Sequence, residues 1–255
     1  MSASAKAQLL ARYDRELRAQ PAVPAGLVRD ERDGVVALVG YFNFVCSWNF
    51  SAERMDESVE AWARRFRERG EKLMWPVYSH DLPQALSTTL GRTGFVEEET
   101  ATLMATETHE ACDQIPLDHS LDIRRVRDPE GLKNYLDAAE AAFGEADTWQ
   151  AQAFSGRFGD PDLGLYTAHV DGRPVASGRI EMDARWTFAE LLGGGVAPQH
   201  RGTGLYRGLV AARAQAALER DVSHLTTSAR DSSRPILEKL GFSGLSTRTG
   251  WVLRP

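Results

Sequence analysis

Only two cysteines are present, Cys46 and Cys112, far apart and without metal-ligand spacing. That scarcity excludes a disulfide-stapled scaffold and a structural zinc site, so both read as reduced thiols. No stretch reaches the ~18 apolar residues that a membrane span needs, and no apolar core of the signal-peptide kind lies near the first residue. The expected compartment is the cytoplasm, with no membrane partner. A basic surplus is missing too. The 30 Lys and Arg stand against 36 Asp and Glu, a net charge of −6, which argues against a nucleic-acid partner and mildly favours cationic or neutral ones.

What remains is an ordinary globular composition, 42% hydrophobic and 26% charged. At 255 residues the chain exceeds the usual single domain of about 100–150, so two units are expected. Periodicity predicts an amphipathic helix over 3–19, ended by Pro21 to Pro24. Strands follow at Leu27 to Asp30 and Val35 to Val45, with Asp33-Gly34 as a hairpin signal. Ser51 is placed to cap a helix running to Arg69. A strand (Lys72 to Tyr78), a helix (Leu82 to Leu90) and a strand (Glu99 to Thr106) complete the first half.

The order then recurs. A strand (Leu121 to Val126), a helix (Pro129 to Phe143) and a short helix (Trp149 to Phe154) precede three antiparallel strands, Leu165 to Val170, Pro174 to Met182 and Trp186 to Val196. Asp171-Gly172 is a second hairpin signal. A helix (Leu205 to Leu218), a strand (Leu225 to Ala229), another helix and a closing strand (Thr247 to Leu253) finish the pattern. Leu90-Gly-Arg-Thr-Gly-Phe95 parallels Leu237-Glu-Lys-Leu-Gly-Phe242, each a helix end before a closing strand. The repetition points to two related units in tandem.

The most informative stretch is Val196-Ala-Pro-Gln-His-Arg-Gly-Thr-Gly-Leu-Tyr206, a glycine-bearing turn between strand and helix. Such a turn aims backbone N–H groups outward and adds about half a positive charge from the helix dipole, which makes an anion seat. Gly202 and Gly204 let a phosphate approach the backbone. The turn is not a Walker loop, lacking the Lys-Ser or Lys-Thr pair, and it does not fit the dinucleotide fingerprint. Followed by one strand and Pro235-Ile-Leu-Glu-Lys-Leu-Gly-Phe242, it resembles the GNAT N-acetyltransferase superfamily. In that family Arg/Gln-x-x-Gly-x-Gly/Ala holds the pyrophosphate of acetyl-CoA. Arg201-Gly-Thr-Gly-Leu-Tyr206 fits, with Tyr206 where Gly or Ala is usual; the register Gln199-x-x-Gly202-x-Gly204 fits as well.

The resemblance implies an α/β (α+β) fold of two GNAT-like units, each a mixed, mostly antiparallel sheet flanked by helices. Residues 1–115 form a degenerate unit without a phosphate loop, because Ser51-Ala-Glu-Arg-Met-Asp56 has no glycine and carries Glu53 and Asp56. Residues 116–255 form the catalytic unit. It further implies direct acetyl transfer from acetyl-CoA, without a metal, to a small-molecule amine, by a monomer or homodimer. The cofactor-binding residues are Gly194, Gly195, Val196, Arg201, Gly202, Thr203, Gly204, Leu205, Tyr206 and Ser232. The strand carrying Gly193-Gly-Gly195 is expected to bulge and to offer its backbone to the pantetheine. Glu190 is the general-base candidate, since a partly buried carboxylate can take a proton from an ammonium. The family's usual acid, a Tyr in the LGF helix, is replaced by Ile236-Leu237, which leaves Tyr206 or water. Glu145, Asp147 and Glu181 are the acceptor-binding candidates. A non-catalytic CoA-binding regulatory module is the alternative.

Overall fold

Asp33-Gly34 and Asp171-Gly172 both fold as tight hairpin turns. In the computed structural model of the chain, which describes residues 2–144 and 148–255, φ is 53° and 73° at the first pair and 49° and 74° at the second. Two consecutive positive φ values give a type I′ turn, whose twist matches that of the strands it joins. The first turn links β1 (Leu27–Arg32) to β2 (Val35–Gly40), and the second links β7 (Leu163–Val170) to β8 (Arg173–Glu181).

The chain forms two compact units. The first holds residues up to Leu103 together with Ser228–Arg234 and Gly244–Pro255. Here α1 (Ala3–Tyr13) precedes the meander β1, β2 and β3 (Phe44–Trp48), then α2 (Met55–Arg69), β4 (Leu73–Tyr78), α3 (Leu86–Arg92) and β5 (Val96–Glu107). β3 and β4 are parallel over the single pair Phe44↔Met74, while β11 (Ser243–Leu253) runs antiparallel to β4, from Arg248↔Tyr78 to Leu253↔Leu73.

The second unit comprises Met104–Thr227 and Pro235–Ser243. Its elements are α4 (Thr108–Gln114), β6 (Asp122–Arg125), α5 (Pro129–Phe143), α6 (Thr148–Phe154), β7, β8, β9 (Phe188–Val196), α7 (Leu205–Leu218), β10 (His224–Ala229) and α8 (Arg234–Lys239). β6 to β9 pair antiparallel in chain order, and β10 is parallel to β9. Each unit is therefore a mixed, mostly antiparallel sheet flanked by helices.

The same devices appear in both. Each meander shifts register between its second and third strands, at Val36/Ala37 against β3 and at Ser177/Arg179 against β9, and the second meander also shifts between β7 and β8 at Ala168/His169. Gly94 and Gly241 take φ of 90° and 89°. Phe95 N–H donates to Leu90 O at 3.0 Å, and Phe242 N–H donates to Leu237 O at 3.0 Å. One helix-closing motif, with a left-handed glycine before a buried phenylalanine, is built twice.

Met55, Val59, Trp62 and Phe66 form the buried stripe of α2, with Trp62 and Phe66 stacked at 6.0 Å. They cover Val35, Ala37 and Val39 of β2 in one core cluster, while Val36 and Leu38 enter a second with Leu27 and Cys46. β2 is thus buried on both faces, which explains a run of apolar residues without alternation.

That run hid a break. The strand expected over Val35 to Val45 is two strands, because the chain turns between Gly40 and Phe44, where Gly40 N–H donates to Asn43 Oδ1 at 3.2 Å. Ser51 does not cap α2: its carbonyl closes a turn with Arg54 N–H at 3.2 Å, and Arg54 precedes the helix with no side-chain cap. The helix expected from Leu82 starts at Leu86, after a turn in which Leu86 N–H donates to Pro83 O. The helix expected over 3–19 is α-helical to Tyr13 and then widens into a π-helical turn, Asp14–Arg18.

The widened turn delivers Arg18 to a buried network. Its guanidinium donates to Asp14 Oδ1 at 2.7 Å, to Asp81 Oδ1 and Oδ2 at 2.8 and 2.9 Å, and to Cys46 O at 3.3 Å. Tyr78 lies 4.3 Å beneath it. Asp14 also contacts His80 Nε2 at 2.8 Å. Burial would raise the Asp14 carboxyl, but His80 and Arg18 outweigh it and hold it below its ordinary value. A depressed carboxyl stabilises the fold above its unfolded value and loses that contribution as pH falls through the folded one. Asp14→Asn is therefore expected to cost about 1 kcal/mol at pH 7, discounted for partial exposure. Thermal unfolding should show the gap closing as pH falls below the ordinary carboxylate range; a constant gap would refute the charge interaction.

Candidate functional site

β9 carries two neighbours only part of the way. Its parallel ladder with β10 holds His224↔Phe188, Leu225↔Ala189 and Thr226↔Glu190, and among the described residues it ends there. Thr227 Oγ1 donates to Leu191 O at 2.7 Å where the ladder stops. From Leu191 to Val196 the strand stays paired with β8. Its other edge has backbone groups without a strand ladder, an opening that an extended chain bearing amides can fill.

Each of the three glycines has its own cause. Gly193 has φ of 55° and sits in a bulge: Arg179 pairs Leu192 and Ser177 pairs Gly195, so Gly193 and Gly194 oppose Gly178 alone. A Cβ on Gly194 would come within 3.2 Å of Tyr206 and 3.3 Å of Arg213. One on Gly195 would lie 2.6 Å from Phe143 and 2.9 Å from Ala142, at the end of α5. The last two are needed for packing against helices on either face.

After Val196 the chain makes a 3₁₀ turn, Pro198–His200, and reaches α7 through Gly202 and Gly204 with φ of 77° and 87°. Both are left-handed values that a side-chain-bearing residue adopts at a cost. A Cβ at either would meet nothing within 4 Å, so the space above them is open. Thr203 Oγ1 donates to His200 O at 2.7 Å and Arg201 Nε to Val196 O at 3.1 Å, which fixes the turn from within. Among the described residues, no N–H from Gly202 to Arg207 meets a protein acceptor; the first that does is Gly208, donating to Gly204 O at 3.0 Å. No acidic residue occupies the first turn of α7. A row of unspent donors at a helix start, with open space and no competing carboxylate, fits a pyrophosphate.

In the first unit the corresponding turn, ahead of α2, has no glycine. Asp56 in the first turn of α2 accepts from Thr89 Oγ1 at 2.8 Å and from Arg92 at 2.7 Å. A carboxylate already held at that helix start opposes an anion there.

The α5 face of β8 and β9 carries the ionisable groups. Glu190 is partly buried and pairs across the strands with Glu181, which accepts from Arg179 Nε at 2.7 Å. Arg179 lies 5.5 Å from the Trp149 ring and 5.7 Å from the Phe154 ring. Burial acts against its charge, but Glu181 and the Tyr135 hydroxyl outweigh it and hold its value up. Burial pushes the Tyr135 phenol up, with Arg179 opposing. Glu181 is thus engaged within the protein. On the opposite face, burial likewise pushes the Tyr206 phenol up, with Arg213 opposing, so Tyr206 keeps its proton at neutral pH.

The structure brings Gly194, Gly195, Val196 and the turn Arg201 to Tyr206 into one continuous segment, with Glu190 on the same strand. Ser232 is exposed in the turn before α8, among residues of the first unit. Glu145 and Asp147 lie outside the described residues. Arg179, Tyr135 and Arg213 were not singled out from the sequence. A signal existed in Gly178, a glycine inside a strand facing a glycine run, with Arg213 amid the apolar pattern of α7.

Residues 129–242 match the model of the Acetyltransferase (GNAT) family. No curated protein matches. Among solved structures, a GCN5-related N-acetyltransferase from Kribbella flavida aligns with 100% of this chain and 96% of its own, at 19% identity and a TM-score of 0.69. A functionally unknown conserved protein from Staphylococcus epidermidis ATCC 12228 aligns with 94% of this chain and 98% of its own, at 14% identity and a TM-score of 0.71. A tandem GNAT protein from the clavulanic acid biosynthesis pathway aligns with 98% and 94%, at 13% identity and a TM-score of 0.64. At these identities the likeness is one of fold, and it extends over both units.

Proposed function

Residues 129–242 belong to the acetyltransferase (GNAT) family, and from that premise we propose that the chain transfers the acetyl group of acetyl-CoA to a small-molecule amine by direct attack. The observation that carries the reading is the row of acceptor-free N–H groups from Gly202 to Arg207, beside open space and continuous with the unpaired edge of β9. Those donors would hold the pyrophosphate, and the β9 edge from Leu191 to Val196 the pantetheine amides. We assign the catalytic work to residues 116–255 and read 1–115 as a degenerate copy whose turn opposes an anion.

Acetyl-CoA supplies an activated carbonyl whose C–S bond breaks as the C–N bond forms. Glu190, partly buried on β9, would take the proton that an ammonium must lose before its nitrogen can attack. A backbone N–H of the bulged segment polarises the carbonyl oxygen as an oxyanion donor does. Tyr206, protonated at neutral pH, or water returns a proton to the departing sulfur.

The experiment is calorimetric titration with acetyl-CoA, followed by an amine panel read by thiol release. One-to-one binding with turnover is the expected result; absence of binding refutes the reading. Binding without turnover would instead favour a CoA-sensing module, a reading motivated by buried Leu237 and exposed Ile236 at the family's tyrosine position. Glu190→Gln is expected to lower kcat/KM by about 100-fold near neutral pH, with much of the loss recovered as the amine deprotonates at higher pH. An unaltered pH–rate profile would remove Glu190 from the chemistry.

A further inference from the structure

Arg213 is the most buried charge in the second unit among the described residues, at 1% exposure, and no carboxylate there pairs with it. An unpaired buried guanidinium is costly, and it persists only where main-chain dipoles replace water. Arg213 Nε donates to Leu209 O at 2.9 Å in its own helix. Nη1 donates to Arg179 O at 3.1 Å and to Leu192 O at 3.4 Å. Arg179 and Leu192 are the last strand pair before the β9 bulge. Room for the guanidinium comes from two glycines within that bulge: a Cβ on Gly178 would lie 2.9 Å from Cζ, and one on Gly194 3.3 Å from Nη2.

Resting on the acetyl-transfer reading above, we infer that Arg213 is a positioning residue for that reaction: it pins the bulge of β9 and sets a positive charge behind the peptide groups that face the thioester. A bulge disturbs the ladder and frees carbonyls on both strands, and one planar guanidinium reaches both. With Leu192 O and Arg179 O held on the α7 face, the peptide groups of Gly193 to Gly195 keep one orientation. The charge lies where negative charge on the thioester oxygen is favoured, without reorganisation during reaction. The hydrogen bonds of Arg213 go to Leu209, Arg179 and Leu192 and to no residue from Arg201 to Gly204, so binding and chemistry should separate.

The test compares wild type, Arg213→Met and Arg213→Lys in calorimetric titration with acetyl-CoA and in thiol release from acetyl-CoA with hydroxylamine. Hydroxylamine is largely deprotonated at neutral pH and so needs no general base. The expected result is acetyl-CoA affinity within about 3-fold of wild type for Arg213→Met, with kcat lower by about 100-fold. Lysine keeps the charge but cannot bridge both carbonyls, so Arg213→Lys should recover about 10-fold of that loss. Retained kcat in Arg213→Met overturns the proposal. So does a parallel fall in affinity, kcat and Tm, which marks a merely structural role. Should Arg213→Met not fold, Gly178→Ala crowds the guanidinium while keeping its charge; kcat reduced at unchanged affinity supports the role, and unchanged kcat overturns it. Wild-type protein that neither binds nor turns over acetyl-CoA refutes the acetyl-transfer reading itself. Wild-type turnover matched by Arg213→Met refutes only the role of Arg213.

Discussion

Gly204→Glu is expected to lower acetyl-CoA affinity by at least about 100-fold, equivalent to about 2.7 kcal/mol. Three effects act in the same direction. The residue has φ of 87°, where a side chain costs about 1–2 kcal/mol. Its Cβ would project into space that is open in the protein and that the pyrophosphate would occupy. The added carboxylate would meet the same N–H row and the same helix dipole that the phosphates need. Gly204→Asn separates these contributions, because asparagine tolerates the left-handed region and adds no charge. It should keep the Tm within a few degrees and lose only about 10-fold in affinity, one polar contact's worth. Calorimetry on the two variants checks both values. Unchanged affinity in Gly204→Glu would move the phosphate site elsewhere.

Arg18→Met is expected to cost about 3–5 kcal/mol of unfolding free energy, the largest single-residue effect anticipated in the first unit. The methionine fills similar volume, so the loss is not mainly a cavity. It comes from Asp81, whose side chain is 9% exposed and would be left charged without its bidentate partner. Arg18 also ties Cys46 O of β3 to the π-helical turn, so one substitution releases three elements. Combining Arg18→Met with Asp81→Asn removes the stranded charge while keeping an acceptor for Tyr78 N–H. About half the loss should return. Urea unfolding of the single and double variants measures the difference; a double variant no better than the single would show that packing, not charge, dominates.

The legible parts of the fold were those where local chemistry decides. Asp128 and Pro129 start α5 and Gly144 ends it, with Asp128 accepting from Gly131 N–H at 2.7 Å, so its bounds read directly from the sequence. The two Asp-Gly turns were legible because few other pairs adopt two positive φ values. The break between β2 and β3 was not, because Tyr41 and Phe42 continue an apolar run that tertiary burial on both faces makes uninformative. Helix α4 was missed for a different reason: Glu107 offers no side-chain cap and only Thr108 and Ala111 are buried, so periodicity had little to register. In the candidate site, glycine placement pointed to the left-handed turn ahead of α7, since backbone conformation depends on residue type. Arg179 and Arg213 were invisible for the converse reason. An arginine in a sequence reads as surface, and only the strands and rings around it show that it is enclosed.

The pairing of β4 with β11 has a consequence for synthesis. Arg248 contacts Met74 across a separation of 174 residues. The strand that completes one side of β4 is therefore made long after the residues up to Leu103. Until then β4 presents an unpaired edge with Trp75 and Val77 on it, a template for pairing with other chains. The partner must also be found by closing a very long loop, which slows folding more than it weakens the final structure. Production of this protein should thus be limited by protection of that waiting edge during translation, and residues up to Leu103 expressed alone should aggregate rather than fold.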